Sequence, residues 1–383
     1  MNLKRIIDTL TSYSFKTINF RLVFYVVTLS VIGVGVVSSA TDDKTVLQKQ
    51  IIGLVVGVVV MIIFMLIKYE FLARYYWLMY IFSLVVLALV ISPLGVSTTG
   101  AQRWIKIFGL KVQPSELSKL LLIFFFATLV AKNAQIMNSW KFILFAMILA
   151  AIPIVLILKE PDLSTSIVII ATICAIIFVS DLHKRFIKRI LIVALPAIIA
   201  ALVLIFTLPP DKNIINEYQY SRLVGFYDKD NEVAERIRYQ QENSVLAIAN
   251  GSLTGMGLRN NSITSVKNAD FISEPQTDFI FTIVGEEIGF IGSFAVVTLL
   301  GLIVFECFRI GMRAREQIGK GIAVGVGSWI GFQSFINLGV VTMIIPNTGL
   351  TLPFVSAGLS SLLILFAGIG VVLNIGIHRK ISF

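Results

Sequence analysis

The stretch Glu274-Pro275-Gln276-Thr277-Asp278-Phe279-Ile280-Phe281-Thr282-Ile283-Val284-Gly285-Glu286-Glu287-Ile288-Gly289 decides how this chain is read. It starts polar, turns apolar at Phe279, and stays apolar except for two further acids, Glu286 and Glu287. An acid where an apolar helix begins marks a membrane mouth, where ionisable groups are costly and tend to be functional. At a rise of ~1.5 Å per helical residue, Glu286 and Glu287 lie about 12 Å deeper than Asp278. An outer acid above a second polar layer suggests a working site at a membrane surface.

Composition agrees with that reading. The 383 residues are 57% hydrophobic and only 14% charged, with a mean hydropathy of +0.89. Soluble domains carry about 25% charged residues. Apolar segments of spanning length recur at 22–40, 51–67, 75–91, 115–131, 142–158, 163–180, 190–208, 277–308, 318–345 and 356–377. The expected fold is an all-α integral membrane protein of about ten transmembrane helices. It forms a single polytopic domain over 1–383, with one long extracytoplasmic loop over 209–276.

The net charge of +10 does not point to a nucleic-acid partner, because the cations fall on alternate sides of successive spans. Lys4, Arg5, Lys16, Arg21, Lys68, Arg74, Lys132, Lys141, Lys184, Arg185, Lys188, Arg189, Arg309, Arg313, Arg315, Lys320, Arg379 and Lys380 share one face. The short loops of the other face carry only Lys44, Lys49, Arg103, Lys106, Lys111 and Lys159. The positive-inside rule then places both termini in the cytoplasm and the 209–276 loop outside. The first apolar segment reads as an uncleaved anchor. Cys174 and Cys307 have no metal-ligand spacing, so neither a zinc site nor a structural disulfide is expected. His183 and His378 are both cytoplasmic, so chemistry on the outer face proceeds without a Ser-His-Asp triad.

The polar information lies outside. Gly100-Ala101-Gln102-Arg103-Trp104-Ile105 is followed by Gln113-Pro114-Ser115-Glu116-Leu117-Ser118-Lys119. Pro114 suits the first turn of a helix, and Glu116 and Lys119 are then three apart on one face. They form either a buried ion pair or a pair in which Lys119 also faces an anionic ligand. Trp104 is either an interfacial belt residue or part of the same cavity. In Glu160-Pro161-Asp162-Leu163-Ser164-Thr165-Ser166, Asp162 opens a helix, and capping is its simplest role. The 209–276 loop carries Arg222, Asp228, Asp230, Arg236, Arg238 and Ser244, then glycines 251, 255 and 257. Loops of that length usually bear function. Its Ala247-Ile248-Ala249 run with the glycines suggests an interfacial or re-entrant helix and turn. Finally, Asn347-Thr348-Gly349-Leu350-Thr351-Leu352-Pro353-Phe354-Val355-Ser356 breaks an apolar region. Irregular backbone at that depth is tolerated where it lines a cavity.

Five of these motifs, in order, resemble the SEDS family (shape, elongation, division and sporulation), whose members include RodA, FtsW and SpoVE. They are GAQRW with QPSELSK, EPDLSTS, AIANGSLTGMGL, EPQTDFIFTIVGEEIG and GLTLPFVSAGLSS. The resemblance implies a ten-helix fold and peptidoglycan glycosyltransferase activity on lipid II, the undecaprenyl-diphosphate-linked disaccharide-peptide. It also implies a class B penicillin-binding protein as partner, at the bacterial cytoplasmic membrane. The family's essential loop acid falls on Asp278, and Arg103, Trp104, Glu116, Lys119 and Asp162 match its other polar positions. Four places depart from the usual pattern: Gln276 for histidine, Asn243 for glutamine, Ser164 for glycine, and SAGLSS, with Ala357 and Leu359, for SYGGSS. GLTLPF is closer to the division-type context than to the PLPF of RodA.

The expected site therefore has Asp278 as general base for an acceptor hydroxyl. Arg103, Trp104, Glu116, Lys119, Asp162, Arg222, Ser244, Glu274 and Thr277 are the candidate substrate contacts. Arginines and Lys119 would hold the diphosphate by charge-assisted bonds. A divalent cation, Mg or Mn, bridging diphosphate and Asp278 is compatible with this set, although no metal motif demands it. Two other classes fit the same chain: a flippase for lipid-linked oligosaccharide, or a non-enzymatic scaffold for a transpeptidase. A transporter would line a midplane path from both faces, whereas here the acid-bearing motifs gather outside.

Overall fold

A computed structural model describes residues 18–98, 101–107, 110–180, 232–259 and 275–378, with short pieces between them that include 185–190 and Arg222. Its elements in chain order are α1 (Phe20–Ala40), α2 (Lys44–Leu66), α3 (Tyr69–Arg74), α4 (Tyr76–Ile91), β1 (Gly95–Thr98), β2 (Ala101–Ile107) and β3 (Leu110–Val112). There follow α5 (Pro114–Lys132), α6 (Trp140–Lys159), α7 (Leu163–Val179), α8 (Glu232–Asn250) and α9 (Ile280–Ile283). A π-helical turn (Val284–Ile288), α10 (Gly289–Met312), α11 (Gln317–Val341) and α12 (Leu359–Ile377) complete the set. The chain is an all-α multi-pass membrane protein. Seven described helices are long and apolar enough to cross a bilayer: α1, α2, α5, α6, the α9–α10 unit, α11 and α12. The shorter α4 and α7 are apolar as well. These match the spans read from the sequence, except 190–208, which lies largely outside the described residues, as does much of the 209–276 loop.

Local sequence sets where the helices start. Asn19, Asp43, Ser139 and Asp162 each accept a backbone N–H from the first turn of α1, α2, α6 and α7. Pro114 opens α5 with the fixed φ that suits a first turn. Helices α5, α11 and α12 are buried along most of their length and form the centre of the bundle. Around them, α2, α6 and α10 bury a single strip and turn Val55, Ile148, Phe290 and Phe294 outward. That is the arrangement expected when lipid is the solvent. Some interior polar groups tie helices together: Tyr80 donates to the Leu149 carbonyl at 2.8 Å. Asn374 accepts from Tyr69 N at 3.0 Å and donates to the Met65 carbonyl at 2.7 Å, which fixes the α2–α3 corner.

Two features were not foreseen. The segments Gly95–Thr98, Ala101–Ile107 and Leu110–Val112, read as loop, form a three-stranded antiparallel ribbon, with Val96 opposite Trp104 and Ile105 opposite Val112. Its β-branched and aromatic residues suit a half-buried pleated surface. The expected continuous helix from 277 instead begins at Ile280 and passes through the π-helical turn to Gly289, at φ +71°. The glycine loop after α8 straps this turn: Met256 N and Gly257 N donate to the carbonyls of Glu286 and Glu287 at 2.9 and 3.0 Å. Phe290 N and Ile291 N donate back to Ser252 and Leu253 at 2.9 and 3.2 Å.

The strap requires contact between backbones. A Cβ on Gly251 would lie 1.8 Å from the Gly285 carbonyl oxygen, whereas one on Gly301 of α10 would meet nothing within 4 Å. Gly251→Ala is therefore expected to cost about 1–3 kcal/mol as overpacking against backbone. Gly301→Ala should be neutral or stabilising by up to about 1 kcal/mol. Thermal unfolding of both variants in one detergent checks this, and equal midpoints would contradict the strap.

Candidate active site

The turn 275–279 precedes α9 and docks on the irregular segment 347–358. Ser356 Oγ donates to the Thr277 carbonyl at 2.6 Å, and Ala357 N donates to the Gln276 carbonyl at 2.9 Å. The same Ser356 hydroxyl accepts from Leu352 N at 2.7 Å. Asn337 of α11 donates through Nδ2 to the carbonyls of Asp278 and Leu350, at 2.8 and 2.6 Å. Asp278 is not the helix cap. Phe279 takes that position, with no side-chain capping bond.

Gly349 shows where that carboxylate points. The position a Cβ would take there is 3.3 Å from Asp278 Oδ2, 3.2 Å from a guanidinium nitrogen of Arg222 and 3.8 Å from one of Arg103. An acid from the α9 entrance, an arginine from the ribbon and an arginine from the long loop thus meet at one backbone position that carries no side chain. With φ +73°, Gly349 holds a left-handed turn that disfavours any Cβ. Arg103 is held from behind, donating to the carbonyls of Glu160 (3.3 Å) and Pro161. Ser164 donates to the Thr348 carbonyl at 2.7 Å. The serine that departs from the family pattern therefore tethers α7 to the loop bearing Gly349.

The other expected contacts are joints around this corner. Lys119 and Glu116 pair at 2.7 Å, 2% and 3% exposed. Lys119 Nζ also donates to Gln333 Oε1 at 2.7 Å and lies 5.1 Å from the Trp329 ring centroid. The ion pair common to both readings of this motif is present, and Gln333 takes a second of the three ammonium donors of Lys119. Gln333 Nε2 reaches the Thr351 carbonyl at 3.0 Å, and Ser361 donates to Glu116 at 3.1 Å, so the pair braces 351–361. Asp162 caps α7, accepting Thr165 N at 3.1 Å and the Thr165 hydroxyl at 2.8 Å. Ser244 is fully buried and joins α8 to the Val341 carbonyl at 2.9 Å and to Thr282. In this position it packs α8 against α9 and α11. Trp104 is half-buried on β2, next to Arg103 in sequence. Thr277 contributes its carbonyl to the docking turn, and Glu274 lies outside the described residues. Deeper in the chain, Glu287 accepts from the Ser39 hydroxyl at 2.6 Å.

Sequence reading passed over Gln333, Asn337 and the carboxyl of Glu160, and took Gly349 only as part of the break at 347–356. The available signal was the pair Gln333 and Asn337, four apart on one face of an otherwise apolar helix. Glu160 is 1% exposed, and neither carboxyl oxygen has a hydrogen-bond partner. Burial, then the charge of Asp162, push its carboxyl up to about 9, against the opposing pull of Arg103. The folded protein therefore holds a proton there that the unfolded chain releases near 4.5. A raised acid contributes stability that is intact below the unfolded value and is lost as pH rises through the folded one. Stability should fall between about pH 5 and 9 by a few kcal/mol. Glu160→Gln should flatten this loss, as read by thermal midpoints across that range. An unchanged slope would contradict a neutral Glu160.

The geometry can be set beside known proteins. The FtsW/RodA/SpoVE family, described as cell cycle protein, matches residues 13–381. A probable peptidoglycan glycosyltransferase FtsW of Buchnera aphidicola subsp. Baizongia pistaciae is 32% identical over 386 residues, covering 97% of each chain. Its namesake from Haemophilus influenzae is 33% identical over 306 residues, covering 79% of this chain and 73% of its own. Among solved structures, a chain from a peptidoglycan synthase complex that coordinates polymerization and crosslinking superposes with a TM-score of 0.77 at 27% identity. That match covers 95% of this chain and 99% of the other. The Thermus thermophilus rod shape determining protein RodA shares the fold, with a TM-score of 0.67 at 23% identity over 95% of this chain and 98% of its own. With the family matched along nearly its whole length, this chain belongs to the FtsW/RodA/SpoVE family.

Proposed function

We infer that this chain is a peptidoglycan glycosyltransferase that polymerises lipid II into glycan strands at the outer face of the bacterial cytoplasmic membrane. The observation that carries the reading is the meeting of Asp278, Arg103 and Arg222 at Gly349. Glycan polymerisation needs one group to take a proton and others to hold a departing diphosphate. Asp278 takes the proton of the acceptor sugar hydroxyl as that oxygen attacks the anomeric carbon of the donor. The bond from that carbon to the diphosphate oxygen breaks, and the lipid diphosphate leaves with the electron pair. Arg103 and Arg222 hold it through charge-assisted hydrogen bonds. A single displacement inverts the anomeric centre, and the leaving group needs no proton, so one carboxylate suffices where hydrolases use two.

Other parts support the corner. Lys119 and Glu116 act through Gln333 and Ser361, bracing the loop that carries Gly349. The donor set fits a diphosphate better than a resident Mg or Mn ion. Two guanidiniums share the corner with one carboxylate, and among the described residues no three metal-ligating side chains gather. A class B penicillin-binding protein is the proposed partner, since a structural relative belongs to a complex coordinating polymerization with crosslinking. The excess of Lys and Arg on one face supports cytoplasmic termini, an orientation in which Asp278 faces the side where the glycan is built.

Purified protein in detergent, supplied with lipid II and a cognate class B penicillin-binding protein, should make glycan polymer. Asp278→Ala should lower the rate about 10²- to 10⁴-fold, the usual contribution of a positioned general base. Equal polymer from both would remove Asp278 from the mechanism. No polymer from folded wild type would favour the flippase or scaffold reading.

A further inference from the structure

Helix α11 crosses the bundle as a nearly apolar rod, yet one face carries Trp329, Gln333 and Asn337 at intervals of one turn. The last two point their amides at main-chain carbonyls of the irregular segment: Gln333 at Thr351 and Asn337 at Leu350. Asn337 alone also reaches the main chain of Asp278, so both N–H groups of one amide bridge the acid-bearing turn and the loop of Gly349. Its side chain is 1% exposed, and its Oδ1 has no hydrogen-bond partner. A buried acceptor left unmet costs about 1–3 kcal/mol. Packing alone would therefore favour an aliphatic residue here, and what the amide supplies is the two-way tether.

We propose that Asn337 is a positioning residue for glycosyl transfer: it sets the Asp278 main chain relative to Gly349, and through it the distance from the carboxylate to Arg103 and Arg222. The role rests on the glycosyltransferase reading above and extends it to a residue buried behind the corner. Asn337 does not touch substrate. It acts on the geometry of the group that does, and small misplacements of a base cost rate before they cost binding. Gln333 holds the next residue of the same loop and is itself oriented by Lys119 and by Trp329 Nε1, at 2.7 and 2.8 Å. The loop's register along α11 is thus fixed at two adjacent points.

The test uses Asn337→Ser, whose hydroxyl is too short to reach both carbonyls, and Asn337→Asp, which keeps the shape and loses the donors when ionised. Both are purified alongside wild type and assayed per folded, monodisperse molecule with lipid II and the partner transpeptidase. The expected result is a kcat lower by about 10- to 100-fold with KM for lipid II changed less than about threefold. Amide exchange should also quicken at 277–280 and 349–352 and nowhere else. Normal kcat per folded molecule in either variant would overturn the proposal. So would a failure of both variants to fold, which would make Asn337 a folding residue. Should wild type make no polymer, the glycosyltransferase reading fails by itself. Local exchange then still decides whether Asn337 fixes the Asp278 main chain, and unchanged exchange would overturn that too.

Discussion

A main chain that leaves helical geometry at the edge of a bilayer must have its N–H and C=O groups met from within the protein. Residues 347–358 form such a segment, and the rest of the outer bundle is arranged to meet them. Ser164, Gln333 and Asn337 each donate to one of its carbonyls, Gln50 donates to the Ser356 carbonyl at 3.2 Å, and Ser356 closes the turn on itself. Two of the remaining bonds run to the turn at 276–277, which is how the segment's needs fix the place of Asp278. The acid's position therefore follows from backbone satisfaction as much as from its own side chain.

Charge is distributed by the same economy. Lys119 and Glu116 are buried and paired, so they rigidify a joint, and removing either partner alone would leave an uncompensated charge in a dry interior. Arg103 is anchored through backbone carbonyls, which orient its guanidinium without neutralising it. Its positive charge stays available at Gly349, facing the carboxylate and the second arginine. Below, the strapped π-helical turn frees carbonyls that the glycine loop then satisfies, joining α8 to the α9–α10 unit. π-helical turns recur at functional sites because they shift helix register locally. This one begins six residues beyond Asp278.

The spans were legible because bilayer thickness fixes their length, and composition alone separates them from loops. Pro114 and Asp162 were legible too, since a first-turn proline and a cap act on their own neighbours. What sequence left open was every role decided by a distant partner. That Lys119 also binds Gln333, far along the chain, could not be read from its own neighbours. Ser244 looked available in a polar loop, but Val341 and Thr282 occupy it. The ribbon was missed because its short strands lie among polar residues, where alternation over a few positions is weak. Gly349 carried the least signal of all, since its importance lies in what its missing side chain leaves room for.

In the proposed mechanism Arg103 and Arg222 act on one diphosphate at the Gly349 corner. A double-mutant cycle on binding of undecaprenyl diphosphate, using Arg103→Ala, Arg222→Ala and the pair, tests it most directly. If both guanidiniums hold the same group, the losses are not additive, with a coupling of about 1 kcal/mol or more. Strictly additive losses, or no loss from either change, would contradict a shared site and separate the two arginines.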